Sequence, residues 1–590
     1  MGTFYWPASS SPEKTQHILN HFQLPHTPLD PSWWQFYLRN HPDQVLVSQV
    51  LRGIREGFPI GYTGPRTHPQ SHPQPCHQDP NPMLLPELQK EIELGRMLGP
   101  FTNLPQPLFQ FYRTNPTFLV PKTDGRWRRI DNMSWPPGRS VNDCIQLEDF
   151  PVDYVTTGDI MNHIAGVPKD TPMSSRDIKD AYRQILVNPA DWGLLTLLVG
   201  SLKFVNIRLG MGIRSACGIF DTLSNLNVWI IQNNPYPNPT PCPFTAFSIL
   251  DDFLLFHDAI DDNGGRHALS TAQASRDMTR IDNIHDQLGW PMKLSKCHTA
   301  VTDLIYLGIG WNTSNNSCYV PRAKREKYLE RVKLILKIHS TRISLKVLRS
   351  VMGQLCYTCH FIPQTRSRLF HLFVILKLGE RRLKRRECLA GRMVVPSSIL
   401  VFLSPAAISD LEWWQSILIE PPLCRPILIP TIRDEDDIFT SDAAPSKGVG
   451  AYHRGEAFAF EFNDDGKSKH STWAELTAVV IACVLWGHLW RGRTIEWRTD
   501  CQPHVTGIKK LRSSAPELLA LHQCLDLLKF KGHFQIVASH IRGCDNSLAD
   551  DLSRGVFETM PIDWTLRALP TNLPSIVSRF LCKQSWITNC

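Results

Sequence analysis

No apolar run among the 590 residues reaches 18, the length a membrane-spanning helix needs, so a membrane partner is not expected. The opening MGTFYWPASSSPEK has no basic start followed by an apolar core. That argues against a secretory leader and for an intracellular protein, with cytoplasm and nucleus both open. The 16 cysteines are scattered rather than spaced as a disulfide framework, so they read as thiols. Glycine, at 34, is scarcer than proline, at 45, and the prolines crowd the first 140 positions. What is present excludes a disordered chain: 42% of residues are hydrophobic and 9% aromatic, enough for ordinary cores. A chain this long is expected to hold about four domains.

CYTCH, Cys356 to His360, fits the pattern for covalent haem attachment. Leu345, Leu348, Met352 and Leu355 recur around it at spacings of three and four, which is the period of a helix core. The two cysteines are therefore expected to be ordinary helix residues, with no haem. Residues 321–390 hold 18 Lys and Arg against 4 Asp and Glu, a surplus of 14 positive charges. The whole chain carries only +8, so the remainder is net negative. A basic segment in an otherwise acidic protein suits contact with a polyanion, although a solvated helix face also accounts for it.

Along the chain, LDPSWWQFYLRN and HPDQVLVSQVLRGIREGFPIGY predict helices, the second ending near Gly57. The stretch Thr63 to Pro82 predicts an extended linker. PTFLVPKTDGRWRRID predicts a β-ribbon over Thr117–Pro121 and Trp127–Asp131. Its basic residues Lys122, Arg126, Arg128 and Arg129 could hold phosphates, though exposed ribbons are often basic. MSSRDIKDAYRQILVN places Asp177 at the end of a short extended run, where it also suits a helix cap. SLKFVNIRLGMGIRSACGIF predicts a strand, a glycine turn and a long helix from about Ser215.

FSILDDFLLF is the centre of this pattern. Asp251 and Asp252 sit between two apolar runs that read as buried strands. Two like charges ~4 Å apart repel by roughly 4 kcal/mol at an effective dielectric of 20. A buried site tolerates that by holding a proton or a cation. A surface turn is the alternative, since aspartate is common in turns.

In this order the segments resemble the palm of a reverse transcriptase: DIKDAY, LGMGIRSACGIF, ILDDFLLF, LGWPMKLSKC and YLGIGW, with PKTDGRWRRID as the fingers ribbon. The resemblance implies Asp177 and Asp251 as shared ligands of two Mg²⁺ ions, with Mn²⁺ as the alternative ion, and Asp252 as the supporting third. It implies Lys122 and Arg128 as triphosphate contacts, and Met211 and Gly212 in the nucleotide-binding turn. Tyr182 would lie under the sugar and select deoxynucleotides, and Lys296 would give a proton to pyrophosphate. Ile249 stands where many relatives carry tyrosine, and Met211 where retroviral enzymes carry glutamine. Cys217 and Gly218 replace a proline and its neighbour. The basic helix over residues 325–338, with Leu329, Val332, Ile335 and Leu336 inward, and the helix from Leu345 to Cys359 resemble a thumb.

From about 434, three strands, a helix, a strand, helices, a strand and a last helix resemble ribonuclease H. Its acids would be Asp442, Glu475, Asp500 and Asp550, again around two ions, with His540 assisting product release. Locally, Thr472 to Glu475 also fits a capping box, and Asp550 a helix start. The implied fold is a multidomain α+β and α/β chain, a right-hand polymerase of fingers, palm and thumb followed by a ribonuclease H-like domain. Its expected parts are an N-terminal region (1–100), fingers and palm (101–311), thumb (312–390), connector (391–433), ribonuclease H-like domain (434–556) and tail (557–590), the tail read as a linker.

The layout resembles the reverse transcriptase and ribonuclease H polyprotein of a retrotransposon. HPDQVLVSQVLRGIREGFPIGY and LRSVMGQLCYTCHFIPQTRSRL look most like the DIRS-like, tyrosine-recombinase group. Within the 590 residues there is no D-[ST]-G protease motif, which fits that group better than a retroviral polyprotein. The implied partners are an RNA template, a DNA primer, an RNA–DNA hybrid and deoxynucleoside triphosphates. A decayed or domesticated copy that binds nucleic acid without catalysis is the other reading.

Overall fold

A computed structural model describes residues 27–66, 82–106, 109, 111–121, 125, 127–233, 245–261, 265–337, 342–390, 394–419, 424–427, 435–505, 515–582 and 586. The chain forms two compact units, Met1–Ile160 with Val167–Leu307, and Met161–Gly166 with Gly308–Cys590. The division falls inside YLGIGW rather than after residue 311, and the segments read as thumb, connector and ribonuclease H-like domain share the second unit. Among the described residues no helix is long and apolar enough to cross a membrane.

In the first unit, helix α1 (Pro31–Tyr37) starts where Asp30 accepts a hydrogen bond from the Ser32 N–H at 2.8 Å, with Pro31 presetting the first turn. Asp43 caps α2 (Gln44–Glu56) in the same way through Leu46 N–H. Trp34, Leu38, Val50 and Ile54 are buried in one core with Leu288 and Trp290, and Trp34 Nε1 donates to Leu288 O at 3.1 Å. The described N-terminal residues, expected as a region apart, are thus built into this core. Residues 67–81 of the expected linker lie outside the described residues, but its start is fastened: Thr63 N–H donates to Cys144 O, and Arg66 pairs with Asp191. Helix α3 (Leu84–Glu93) follows.

Next come strands β1 (Met97–Phe101), β2 (Thr114–Pro121), β3 (Trp127–Asp131), β4 (Met173–Asp177), β5 (Thr196–Val199) and β6 (Leu202–Asn206), then helix α4 (Ala216–Asn233). Strands β7 (Thr245–Ile249) and β8 (Asp252–Phe256), helix α5 (Thr271–Leu288) and strand β9 (His298–Val301) complete the part that carries chemistry. One sheet has the order β1-β6-β5-β2-β3, and a second β9-β4-β8-β7. The expected ribbon is the β2–β3 pair, running from Thr117 opposite Asp131 to Pro121 opposite Trp127. Phe253 and Leu255 of β8 are fully buried, as the apolar flanks of the aspartate pair require.

The second unit opens with β10 (Ile309–Asn312) and β11 (Ser317–Tyr319), then helices α6 (Arg322–Lys337), α7 (Leu345–Phe361), α8 (Phe370–Ala390) and α9 (Pro405–Ile419). On α6 the buried face is Tyr328, Val332 and Ile335, with Leu329 and Leu336 only half-buried. CYTCH lies inside α7 as its periodicity predicts, and Cys359 is buried against the Thr365 hydroxyl. Helix α8 carries Arg381, Arg382, Lys384, Arg385 and Arg386 in its last turns, and α9 lies within the expected connector with Trp414 fully buried.

The last part contains β12 (Ile438–Ala444), β13 (Gly448–His453), β14 (Glu456–Glu461), α10 (Ser471–Trp486), β15 (Thr494–Thr499), α11 (Pro516–Gly532), β16 (Gln535–His540), α12 (Ser547–Arg554) and β17 (Thr565–Leu566). The sheet order is β16-β15-β12-β13-β14-β17. Strands β12, β15 and β16 run parallel, while β12, β13 and β14 form antiparallel hairpins. Helix α10 is apolar nearly all round because the sheet covers one side and α11 the other. The tail is not a free linker. Strand β17 extends the sheet, and Leu573, Val577, Phe580 and Leu581 are buried in the same core.

Two candidate acidic sites

The first site is built by strand register. Strands β4 and β8 are antiparallel with Asp177 directly opposite Asp252, while Asp251 lies in the two-residue turn between β7 and β8. That turn puts Leu250 at φ +54°, a conformation strained for a residue with a branched side chain. The Ser224 hydroxyl of α4 donates to Leu250 O at 2.6 Å, and Ile178 N–H donates to Asp251 O at 3.0 Å. Tyr306 Oη donates to Asp252 O at 2.9 Å. The backbone thus fixes the acids independently of their charges.

Asp177 is 4% exposed. Burial, then the hydrogen bond with Asp177, then the charges of Asp251 and Asp177 push the Asp252 carboxyl up to about 7. Burial first, and then the Asp177 charge, raise Asp251 as well. Lys296 Nζ forms an ion pair with Asp177 Oδ2, and that bond raises the lysine.

Around these acids the structure distributes the expected nucleotide residues. Tyr182 is 6% exposed, its ring tilted on Phe220 at 5.0 Å, and it feels the Asp251 charge. Arg128 Nη2 lies 3.2 Å from Met211 Sδ, so the ribbon and the glycine turn meet. Gly212 packs where a Cβ would fall 2.3 Å from Asp131 O, so only glycine fits. Lys122 lies outside the described residues. Asn142 was missed by sequence reasoning: its Nδ2 donates to Gly212 O, and its Oδ1 accepts from Arg214 N–H, both at 2.9 Å. A single asparagine in a proline-rich stretch carries no periodicity or spacing that marks it.

The second site is tighter. Asp442 of β12, Glu475 of α10 and Asp500, just beyond β15, have ligand oxygens all within 4.8 Å of one another. Among the described residues no other group of three acidic, His or Cys side chains is so close. The parallel β12–β15 pairing brings the two strand ends together. Glu475 Oε1 accepts from Ala443 N–H at 3.2 Å, while its Oε2 is buried with no hydrogen-bond partner. Thr472 to Glu475 is therefore not a capping box, since His470 caps α10 and Glu475 reaches into the sheet.

Burial, then the Asp500 charge, then the bond with Asp550 push Asp442 up to about 6. Burial, then the charges of Asp442 and Asp500, raise Glu475 well above the carboxylate range. Asp550 sits in the first turn of α12, bonded to Arg554 at 2.7 Å and to Asp442, and the arginine bond lowers it. His540 is exposed at the end of β16, opposite Thr499.

Both sets offer only carboxylate oxygens, the donors that suit Mg²⁺ or Mn²⁺. The buried, unpartnered Glu475 Oε2 and the repulsion among its neighbours fit a divalent cation there. At the first site one Asp177 oxygen is taken by Lys296. That side chain is 52% exposed, so solvent is open to it if it leaves.

No protein-family model matches the chain, and no curated protein does. The chain is similar to solved structures of foamy viral protease-reverse transcriptase. The dRH form in complex with double-stranded DNA is 12% identical, covering 91% of this chain and 84% of that one, with a TM-score of 0.45. The form in complex with an RNA/DNA hybrid is 12% identical, covering 92% and 64%, with a TM-score of 0.43. A further complex with double-stranded DNA is 14% identical, covering 88% and 99%, with a TM-score of 0.44.

Proposed function

We propose that the chain is an RNA-directed DNA polymerase with ribonuclease H activity, of the retrotransposon kind that its motifs resemble, DIRS-like in particular. It would use an RNA template, a DNA primer and deoxynucleoside triphosphates, and would cleave RNA in the resulting hybrid. The observation that carries this reading is the Asp177, Asp251 and Asp252 cluster, which backbone register holds together against charge repulsion. Asp177 and Asp251 would hold two divalent ions, with Asp252 in support. Bound there, the ions would supply Lewis acidity toward the phosphate and the attacking hydroxyl.

Tyr182 would form the floor under the sugar, and Arg128 with Lys122 would hold the triphosphate beside Met211 and Gly212. Lys296 carries a proton at Nζ, which it would deliver to pyrophosphate once it leaves Asp177. In the second unit Asp442, Glu475, Asp500 and Asp550 would hold the ions for hydrolysis, with His540 at the margin of that site. The basic surplus over residues 321–390 would grip duplex phosphates.

The test is primer extension on an RNA template with Mg²⁺ or Mn²⁺, with Asp251→Asn expected to abolish synthesis. The second reading is a chain that binds template and primer without copying. The Lys296–Asp177 ion pair favours it, because a cation already occupies that oxygen. It prevails if the wild type binds template–primer but adds no nucleotide with either ion.

A further inference from the structure

The nucleotide side of the first site contains a hydrogen-bonded group that the two-metal reading leaves unused. Cys217 is the second residue of α4 and is exposed. The Tyr182 hydroxyl lies 3.3 Å from its Sγ, and the Tyr154 hydroxyl lies near enough to the same thiol to be acted on by it. The segment carrying Tyr154 is held along the helix. A Cβ at Gly218 would fall 2.6 Å from Phe150 O and 2.7 Å from Phe150 Cβ, so the segment runs closer to α4 than any other residue at 218 permits. One turn on, Asp221 accepts from Asp153 N–H at 3.1 Å and from Asn225 Nδ2 at 3.2 Å. Glycine at 218 and aspartate at 221 thus deliver Tyr154 to the thiol.

We infer that Cys217 and Tyr154 are positioning residues that hold the Tyr182 hydroxyl and so set which sugar the site accepts; this rests on the polymerase reading. A thiol is a weak donor and a weak acceptor with a long bond, so it can stand between two phenols. Burial and then the Cys217 contact push Tyr154 up to about 12. The Tyr182 ring also packs on Phe220 of α4, and Asp251 lies near enough for its charge to act on the phenol. A residue at 217 that makes no bond would let the ring tip and admit a ribose.

The test compares kcat/KM for dATP and ATP in primer extension by the full chain. Cys217→Ala and Tyr154→Phe are each expected to lower discrimination against ATP by about fivefold, the scale of one hydrogen bond. Cys217→Ser should restore it, because a hydroxyl makes the same bonds. Gly218→Ala should behave like Tyr154→Phe, because it displaces the segment that delivers Tyr154.

A second measurement needs no synthesis. Alkylation of Cys217 by iodoacetamide, read by peptide mass spectrometry against the exposed Cys388, should change in rate in Tyr154→Phe and in Tyr182→Phe. Wild-type discrimination in both Cys217→Ala and Tyr154→Phe overturns the inference. If the wild type does not extend a primer, the polymerase reading falls and the sugar role with it. Unchanged alkylation rates in the tyrosine variants then refute the hydrogen-bonded group itself.

Discussion

Replacing Asp442 with asparagine separates the cost of assembling the second site from its use. Asp442 is 7% exposed and shares its pocket with Glu475 and Asp500. Its carboxyl titrates near 3.8 when unfolded and is pushed up to about 6 in the folded, metal-free chain. Above pH 6 it is ionised in both states, and the folded state bears the whole difference, about 3 kcal/mol. Below about pH 4 it is protonated in both states, and the cost vanishes. Stability of the chelator-treated protein should therefore fall as pH rises from 4 to 6. Asp442→Asn should lessen that fall, leaving what the raised Glu475, Asp251 and Asp252 carboxyls contribute and what the amide loses in unmet hydrogen bonds.

At pH 8 in chelator, calorimetry should show the variant melting roughly 5 °C or more above the wild type. Mg²⁺ should raise the transition of the second unit more in the wild type than in the variant, because ligand binding to the folded state alone stabilises it. Cleavage of RNA in a hybrid should be lost while primer extension persists. Equal melting at pH 8 without metal, together with an equal Mg²⁺ response, would refute the view that these acids repel one another and share an ion.

Three further outcomes follow from particular contacts. Gly212→Ala places a methyl 2.3 Å from Asp131 O, so synthesis should fall at least tenfold in primer extension while far-UV circular dichroism stays unchanged. Trp34→Ala empties a site that is fully buried and bonded to Leu288 O, and urea titration should show a loss of about 3–5 kcal/mol in the first unit. Phe580→Ala should cost the second unit about 3 kcal/mol and weaken hybrid cleavage, because the tail packs on Trp473 at 5.0 Å. No change would mean that the tail is a linker after all.

Alternation and turn residues made the β2–β3 ribbon, the β7–β8 hairpin and strands β12, β13 and β14 legible, because each is set by neighbours in sequence. Helix α9 was missed because AAISDLEWWQSILI is apolar on several faces and shows no single stripe. The packing of the tail was invisible because its apolar residues are too sparse to show a period. Thr472 to Glu475 fits a capping box in sequence, and only the position of β12 sends Glu475 to Ala443 N–H instead.

By itself, the sequence determined the acids, their order and the apolar flanks that bury them, because strand and helix periods are local properties. Tertiary structure alone decided which atoms meet. Lys296 reaches Asp177 across 119 residues, Cys217 sits between Tyr154 and Tyr182, and Glu475 keeps one oxygen unpartnered beside Asp442 and Asp500. A side chain reaches only a few ångströms from its backbone. Such encounters are therefore set by sheet register and by the close approach that Gly218 permits, which no local pattern encodes.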